Sequence, residues 1–418
     1  MVNANCYIIA LSDQPCHSWI YILGGKMTSL STHLNDKELW KINKDEVADY
    51  RYMVLNAPLE ELIDTASNKR DDHWGKVITY SRKIFVPLTN MCRDTCSYCT
   101  FVKHPDDPDA KIMSPREVLL SAREGENRGC KELLFSLGEK PENRYAKPKR
   151  ALESMGYDAM TDYLTDMCKL VIEKTSLLPH VNAGTLNEYE IMKLKNVCAS
   201  MGMMLETTSK RLTKKGGPHY ACPDKVPIQR IRTLITAGYC KVPFTTGILI
   251  GIGETLEERI EALLLIEKIN NRYGHIQEVI IQNFQTKPNI LMSKHPEPKL
   301  KEMLQTIALA RIILNPTISI QAPPNLEKKH LEYVYAGIND WGGISPVTKD
   351  FINPQHPWPN INLLETMINE IGFRLMERLT IYPKFNTQDF LSKTIRGHML
   401  KHSAYLHPDN NLKEVVTA

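Results

Sequence analysis

Residues 244–273 read FTTGILIGIGETLEERIEALLLIEKINNRY, and this run decides the fold. Phe244–Ile250 is a short apolar stretch with β-branched residues, which suits a strand buried on both faces. Thr255-Leu256-Glu257-Glu258 then makes a capping box, in which the threonine hydroxyl and a glutamate three residues later satisfy each other's free backbone N–H groups. An amphipathic helix follows to about Tyr273.

The same grammar extends in both directions. Upstream, "RKIFVPL" is a first strand ending near Leu88, and Ser114-Pro115-Arg116-Glu117 caps a helix that Gly129 closes. "CKELLFSL" is a second strand and "PHVNAG" a third. The third leads into a capping box at Thr185-Leu186-Asn187-Glu188 and a helix stopping at Gly202. "MMLETT" reads as the fourth strand, and Asp224 caps the helix that runs to Gly238. Downstream come "EVIIQNF", a helix from about Lys299 to Leu314, "ISIQA" and a shorter unit around "AGINDWGGISPV". Seven or eight successive βα units with short returns predict an α/β fold, a TIM-type (β/α) barrel, complete or nearly complete, with its chemistry on the loops after the strands. We divide the chain into residues 1–27, a disordered or mis-started extension with Met27 as an alternative start; 28–80, a helical lead-in; 81–360, the barrel; and 361–418, closing helices. No internal repeat or low-complexity tract is visible.

Composition narrows the setting. The 418 residues carry 52 Lys+Arg against 48 Asp+Glu, a net charge of +4, which is far from the concentrated basic character of a phosphate-backbone binder. A nucleic-acid partner is not expected. No run approaches the roughly 20 apolar residues of a membrane span, and we read no signal peptide. Ten cysteines, most of them scattered, do not form a dense disulfide framework, so a reducing cytoplasm is the expected setting.

Three of those cysteines are crowded. "NMCRDTCSYCTF", residues 90–101, holds Cys92, Cys96 and Cys99 in the long loop after the first strand. A structural zinc site wants four ligands, and His104 as the fourth would give an unusually compact arrangement. A thioredoxin-type pair at Cys96 and Cys99 leaves Cys92 unexplained and lacks the strand-to-helix context. Three thiolates on a cubane 4Fe-4S cluster leave one iron open to a substrate or cosubstrate, which explains the absent fourth cysteine.

The C-x3-C-x2-C spacing, with Tyr98 before the last cysteine, resembles the radical S-adenosylmethionine (SAM) superfamily. That resemblance implies that the cluster and SAM together yield a 5'-deoxyadenosyl radical. It also implies SAM contacts from Tyr98, from Gly138 and Glu139 after the second strand, from Glu206 in the fourth, and from Gly247, Ile248 and Gly251 around the fifth. A nucleotide P-loop is excluded at those glycines because no Gly-Lys-Ser/Thr follows.

Further stretches, "FSLGEKPE", "KGGPHYACPDK", "FTTGILIGIGET", "SIQAPPNL" and "AGINDWGGISPVTKDFINPQHPWP", resemble subunit 1 of the 7,8-didemethyl-8-hydroxy-5-deazariboflavin (FO) synthases. The resemblance covers residues 79–360, and more loosely back to 34. It implies an ammonia-releasing radical SAM lyase that closes a tyrosine-derived adduct of 5-amino-6-(D-ribitylamino)uracil to the deazaflavin FO. A second radical SAM subunit would supply the substrate, and an electron donor such as ferredoxin or flavodoxin would reduce the cluster. A polyhydroxyl, amide-rich substrate needs fixed polar side chains in an apolar cavity. Asn182, Thr246, Gln282, Gln285 and Gln321 are candidates, with Trp341 as a stacking surface and His219 as a proton acceptor during ring closure. The alternative is another barrel radical SAM enzyme, biotin-synthase-like or hydrogenase-maturation-like; the former would need a second set of cluster ligands.

Overall fold

Phe244–Ile250 is a strand, fully buried along its length, and the Thr255 box caps a helix over Leu256–Tyr273 as the sequence predicts. The computed structural model describes residues 21–23, 26–28, 30–34 and 37–405. Eight strands, β1 (Val77–Pro87), β2 (Glu132–Ser136), β3 (Leu178–Asn182), β4 (Ser200–Gly202), β5 (Phe244–Ile250), β6 (Ile276–Asn283), β7 (Ser319–Gln321) and β8 (Asp340–Ile344), pair in parallel in chain order. β8 returns to pair with β1 and closes the barrel. Between strands and outer helices lies one continuous core, to which Ile84, Phe135, Val181, Met201, Ile248 and Ile320 contribute with Leu164, Ile235 and Leu265 from the helices. Each such buried side chain is worth about 1.5–3 kcal/mol. No helix among the described residues is long and apolar enough to cross a membrane.

The structure corrects four details. The capping box read at Thr185 forms two residues later, between Asn187 and Glu190, because the Thr185 hydroxyl and N–H are taken by Glu139, and its helix ends at Lys195 rather than at Gly202. Asp224 caps no helix; it sits in a 3-10 turn, Pro223–Lys225, with its carboxylate on Arg93 and Thr185. The fourth strand is Ser200–Gly202 rather than "MMLETT", which leaves the regular ladder and reaches Glu206 in a left-handed conformation at φ 66°. Glu206 then makes a single bridge to β5, its C=O accepting from Leu249 N–H and its own N–H donating to Gly247 C=O. Finally, the segment read as two closing helices is a helix (Ile361–Glu370), a ninth strand β9 (Arg374–Glu377) and a second helix (Lys393–Met399). β9 pairs in parallel with the start of β1, Val77–Tyr80, outside the closed barrel.

Ahead of the barrel stand two helices, Lys44–Asn56 and Leu59–Trp74, the latter packing Leu62 and Ala66 on Ala308. Within the extension 1–27, Tyr21–Leu23 pairs antiparallel with Lys26–Thr28. The rest of that extension, and residues 406–418, lie outside the described residues.

Candidate active site

The loop after β1 is tied at its base by Met113 N–H on Leu88 C=O (2.8 Å) and by the Thr89–Ile112 bridge. Its cysteines are positioned by backbone. Cys92 Sγ accepts from Glu139 N–H (3.1 Å) and Asp94 N–H (3.4 Å), and Cys99 N–H closes a turn on Cys96 C=O (3.1 Å). Ser97, between the last two cysteines, is held on both sides: its N–H donates to Pro218 C=O (2.9 Å) and its C=O accepts from Met292 N–H (3.1 Å). Gly138 allows β2's loop to press on this one, since a Cβ there would lie 1.9 Å from Met91 O. All three thiols line one cavity of about 310 Å³ at the mouth of the barrel. Burial pushes Cys92 up to about 12 and Cys99 upward, while Cys96 is raised by the neighbouring Cys222 thiol and by burial. Three desolvated thiols, of which Cys92 and Cys99 accept backbone N–H groups, form a soft donor set that suits iron, whose positive charge would favour their ionised forms.

Glu206 is the hub of the opposite wall. Tyr98 Oη–H and Lys225 Nζ donate to its carboxylate, His219 Nε2 lies 3.0 Å away and Arg230 3.6 Å. Burial alone would raise its pKa, but Lys225, His219 and Arg230 hold it well below the usual carboxylate range. Three more carboxylates crowd nearby: Asp94, Glu139 and Asp224 bring oxygens within 4.8 Å of one another. Arg93 neutralises Asp224, and Arg230 lies 3.8 Å from Glu139. Asp94 Oδ2 has no hydrogen-bond partner, and burial together with Glu139 and Asp224 raises Asp94 to about 7.

A second hollow of about 210 Å³ lies deeper in the barrel and shares Ser136, Asn182, Met204 and Gln282 with the first. Its walls include Lys83, Glu132, His180, Glu278 and Arg378. Lys83 pairs with Glu132 at 2.8 Å, and Arg378 pairs with Glu278 and with Asp340 (2.6 Å).

The structure brings most of the expected residues to these walls. Cys92, Cys96, Tyr98, Cys99, Gly138, Glu139, Glu206 and Gln285 line the mouth; Gln321 and Trp341 line the depth; Asn182 and Gln282 line both. Others it does not bring there. Thr246 is fully buried and its hydroxyl accepts from Leu205 N–H, because strand alternation turns Thr245, not Thr246, into the barrel. Gly247, Ile248 and Gly251 line neither hollow; a Cβ at Gly247 would meet Ile280 O at 2.2 Å, Ile248 packs in the core, and Gly251 at φ 85° lies against Pro298. Leu249 faces the cavity in their place. His219 stands behind Tyr98 (2.9 Å) and Glu206 rather than on a wall, and burial lowers its pKa. Sequence reasoning missed Asp94, Asp224, Lys225 and Arg230, which no local pattern marks, and the charged strand residues Lys83, Glu132 and Glu278, whose signal is a charge at the start of an apolar run. Among the described residues, Cys130, Cys168, Cys198 and Cys240 line neither hollow, so no second thiol set stands inside the barrel.

The family model for the radical SAM superfamily matches residues 86–266. The 7,8-didemethyl-8-hydroxy-5-deazariboflavin synthase of Methanopyrus kandleri is 49% identical over 310 residues, 74% of this chain and 92% of that protein. The FO synthase of Mycobacterium leprae is 46% identical over 348 residues, 81% of this chain but 40% of that longer protein. Among solved structures, the FeFe-hydrogenase maturase HydG of Carboxydothermus hydrogenoformans superposes with a TM-score of 0.66 at 17% identity, covering 93% of this chain and 92% of that one. Methylornithine synthase (PylB) gives 0.62 at 17%, covering 82% and 97%. These two likenesses carry the barrel fold alone. The chain therefore belongs to the radical SAM superfamily, whose members use an iron-sulfur cluster and SAM, and within it to the 7,8-didemethyl-8-hydroxy-5-deazariboflavin synthase family.

Proposed function

We propose that Cys92, Cys96 and Cys99 hold a 4Fe-4S cluster and that this chain closes a tyrosine-derived adduct of 5-amino-6-(D-ribitylamino)uracil to FO, releasing ammonia. The observation that carries the reading is the meeting of three loop thiols, Glu139 and Glu206 on one cavity that continues into a polar chamber inside the barrel. When bound, the cluster and SAM supply the 5'-deoxyadenosyl radical. The chain's own residues do the positioning. The carboxylates of Asp94 and Glu139 offer an ammonium group hydrogen-bond acceptors in a buried setting, which suits the amino end of SAM. Lys225 and Arg230 suit its carboxylate, and both line the same wall. His219 acts as a positioning residue, fixing Tyr98 and Glu206 from behind. Gln282, Gln285 and Asn182 offer amides to the ribityl hydroxyls, and Gln285 Nε2 is itself steadied on Leu326 C=O at 3.2 Å.

In this reading the substrate comes from a second radical SAM enzyme and the electron from a ferredoxin or flavodoxin in the cytoplasm. Anaerobic reconstitution, followed by SAM, reductant and the partner enzyme's product, tests it. The expected result is 5'-deoxyadenosine with a fluorescent deazaflavin. Deoxyadenosine without deazaflavin overturns the substrate, and neither product overturns the reaction class.

A further inference from the structure

We propose that the floor of the deeper hollow is a binding site for a cyclic imide, the pyrimidinedione edge of the substrate, so that the tyrosine-derived ring points up toward the cysteine loop. This rests on the deazaflavin reading above. In "DWGG", residues 340–343, the pairing of β8 with β1 shifts register between Asp340 and Gly343. The two glycines are space for other side chains. A Cβ at Gly342, which has φ 69°, would lie 1.8 Å from Gln321 Nε2, and one at Gly343 would lie 2.2 Å from Lys83 Cε. The irregular strand thus lets an amide and an ammonium group cross into the chamber.

There Lys83 meets Glu132, and Arg378 meets Glu278 and Asp340, all five buried. Three ion pairs inside a barrel are a poor source of stability, since apolar residues of similar volume avoid their desolvation. Trp341 adds a ring N–H that has no hydrogen-bond partner although the residue is 1% exposed, and it lines the same hollow. An unpartnered donor at such burial is costly unless a ligand satisfies it. The floor therefore offers donors (Lys83, Arg378, Trp341) beside carboxylate acceptors (Glu132, Glu278). A cyclic imide is the complement: two carbonyl acceptors flanking one N–H donor. A phosphate is not, because the carboxylates would repel it.

FO carries the same imide edge as the substrate and is fluorescent, so its binding to the reconstituted holoenzyme is read by titration without turnover. The probes are FO and its N3-methyl derivative, which lacks the imide N–H. Wild type should bind FO about tenfold more tightly than the methylated form, the ratio of one hydrogen bond to a charged group. Trp341→Phe, which keeps an aromatic ring, and Gly343→Ala, which displaces Lys83 without removing any polar group, should each weaken FO at least fivefold; Gly343→Ala should also shrink the preference over the methylated form. If wild type makes deazaflavin yet binds both probes equally, this assignment fails while the function stands. If wild type neither makes deazaflavin nor binds FO, both fail.

Discussion

Replacing Gly138 with alanine tests whether the cysteine loop is placed by backbone contact. The added Cβ would lie 1.9 Å from Met91 O, 2.5 Å from Met91 C and 2.8 Å from Cys92 Cβ. None of these atoms is the end of a flexible side chain, so the two loops must part by about 1.5 Å, the gap between 1.9 Å and the 3.4 Å at which van der Waals contact becomes ordinary. They cannot slide instead, because Gly138 N–H is fixed on Thr89 C=O (2.8 Å) and Arg93 N–H on Glu139 C=O (2.9 Å). Parting by that much breaks the 3.1 Å contact of Glu139 N–H with Cys92 Sγ. The cost is about 1–3 kcal/mol of overpacking plus roughly 1 kcal/mol for each hydrogen bond lost. The barrel survives, since β1 and β2 stay paired through five residues below the site. We expect a far-UV circular dichroism spectrum like wild type, reduced iron and sulfide per chain after reconstitution, and SAM cleavage down by about 10²-fold, as for other angstrom-scale misplacements. Gly397→Ala is the control, because nothing lies within 4 Å of its Cβ. A Gly138→Ala protein with full iron content and wild-type cleavage refutes the reasoning.

Cys92→Ala, Cys96→Ala and Cys99→Ala should each abolish SAM cleavage with the fold retained, whereas Cys168→Ala, in the core and away from both hollows, should keep iron and cleavage and lower stability by about 1 kcal/mol. Full activity in reconstituted Cys96→Ala would overturn the cluster assignment. Glu139→Gln should weaken SAM binding by roughly 1.5–3 kcal/mol in calorimetry. Glu206→Gln should do so as well and also lower the melting temperature, because it leaves Lys225 buried without its counter-charge and Arg230 with Glu139 alone; unchanged affinity in both variants would show the wall misassigned. Acid sensitivity follows from buried histidines. Burial lowers His180 to about 4 and His275 to about 3, so their stabilising contribution is complete above the ordinary value of 6.5 and is lost as pH falls from there through the folded values. Glu132 adds to this at lower pH: burial opposes its ionisation, but Lys83 and His180 hold it at about 2, so its contribution fades as pH falls from 4.5 toward that value. Thermal melts from pH 7 to 4 should fall steadily, and His275→Phe should flatten the slope; identical slopes would sink the assignment.

Much of the barrel was legible because its signals are local. A capping box is read within four residues, and those at Ser114 and Thr255 formed where the sequence placed them. The misreadings arose where a residue with local capping chemistry had a stronger distant partner. Thr185 and Asp224 have the right side chains for N-caps, yet Glu139 and Arg93 claim them across 46 and 131 residues of chain. β9 was hidden for a related reason: "FRLMER" has no clean period, and it becomes a strand only because the start of β1, which β2 leaves unpaired, offers an edge to pair with.

The site divides in the same way. The three cysteines were legible because one loop holds them all, and their spacing alone states the chemistry. The hub around Glu206 was not, since its partners come from positions 98, 219, 225 and 230 and are joined only by folding. Glu206 itself was visible as a carboxylate in an apolar run, and burial of a lone charge demands partners. Lys83, Glu132 and Glu278 carry a weaker form of that mark, each a charge at the start of an apolar run in its strand, "KIFVP", "ELLF" and "EVII". What the sequence could not supply is the face on which each charge lies: a shift of one residue along a strand exchanges barrel interior for helix-packed exterior, as Thr245 and Thr246 demonstrate. Charge inside an apolar strand therefore identifies a barrel's polar residues, and closure of the ladder decides which of them meet the substrate.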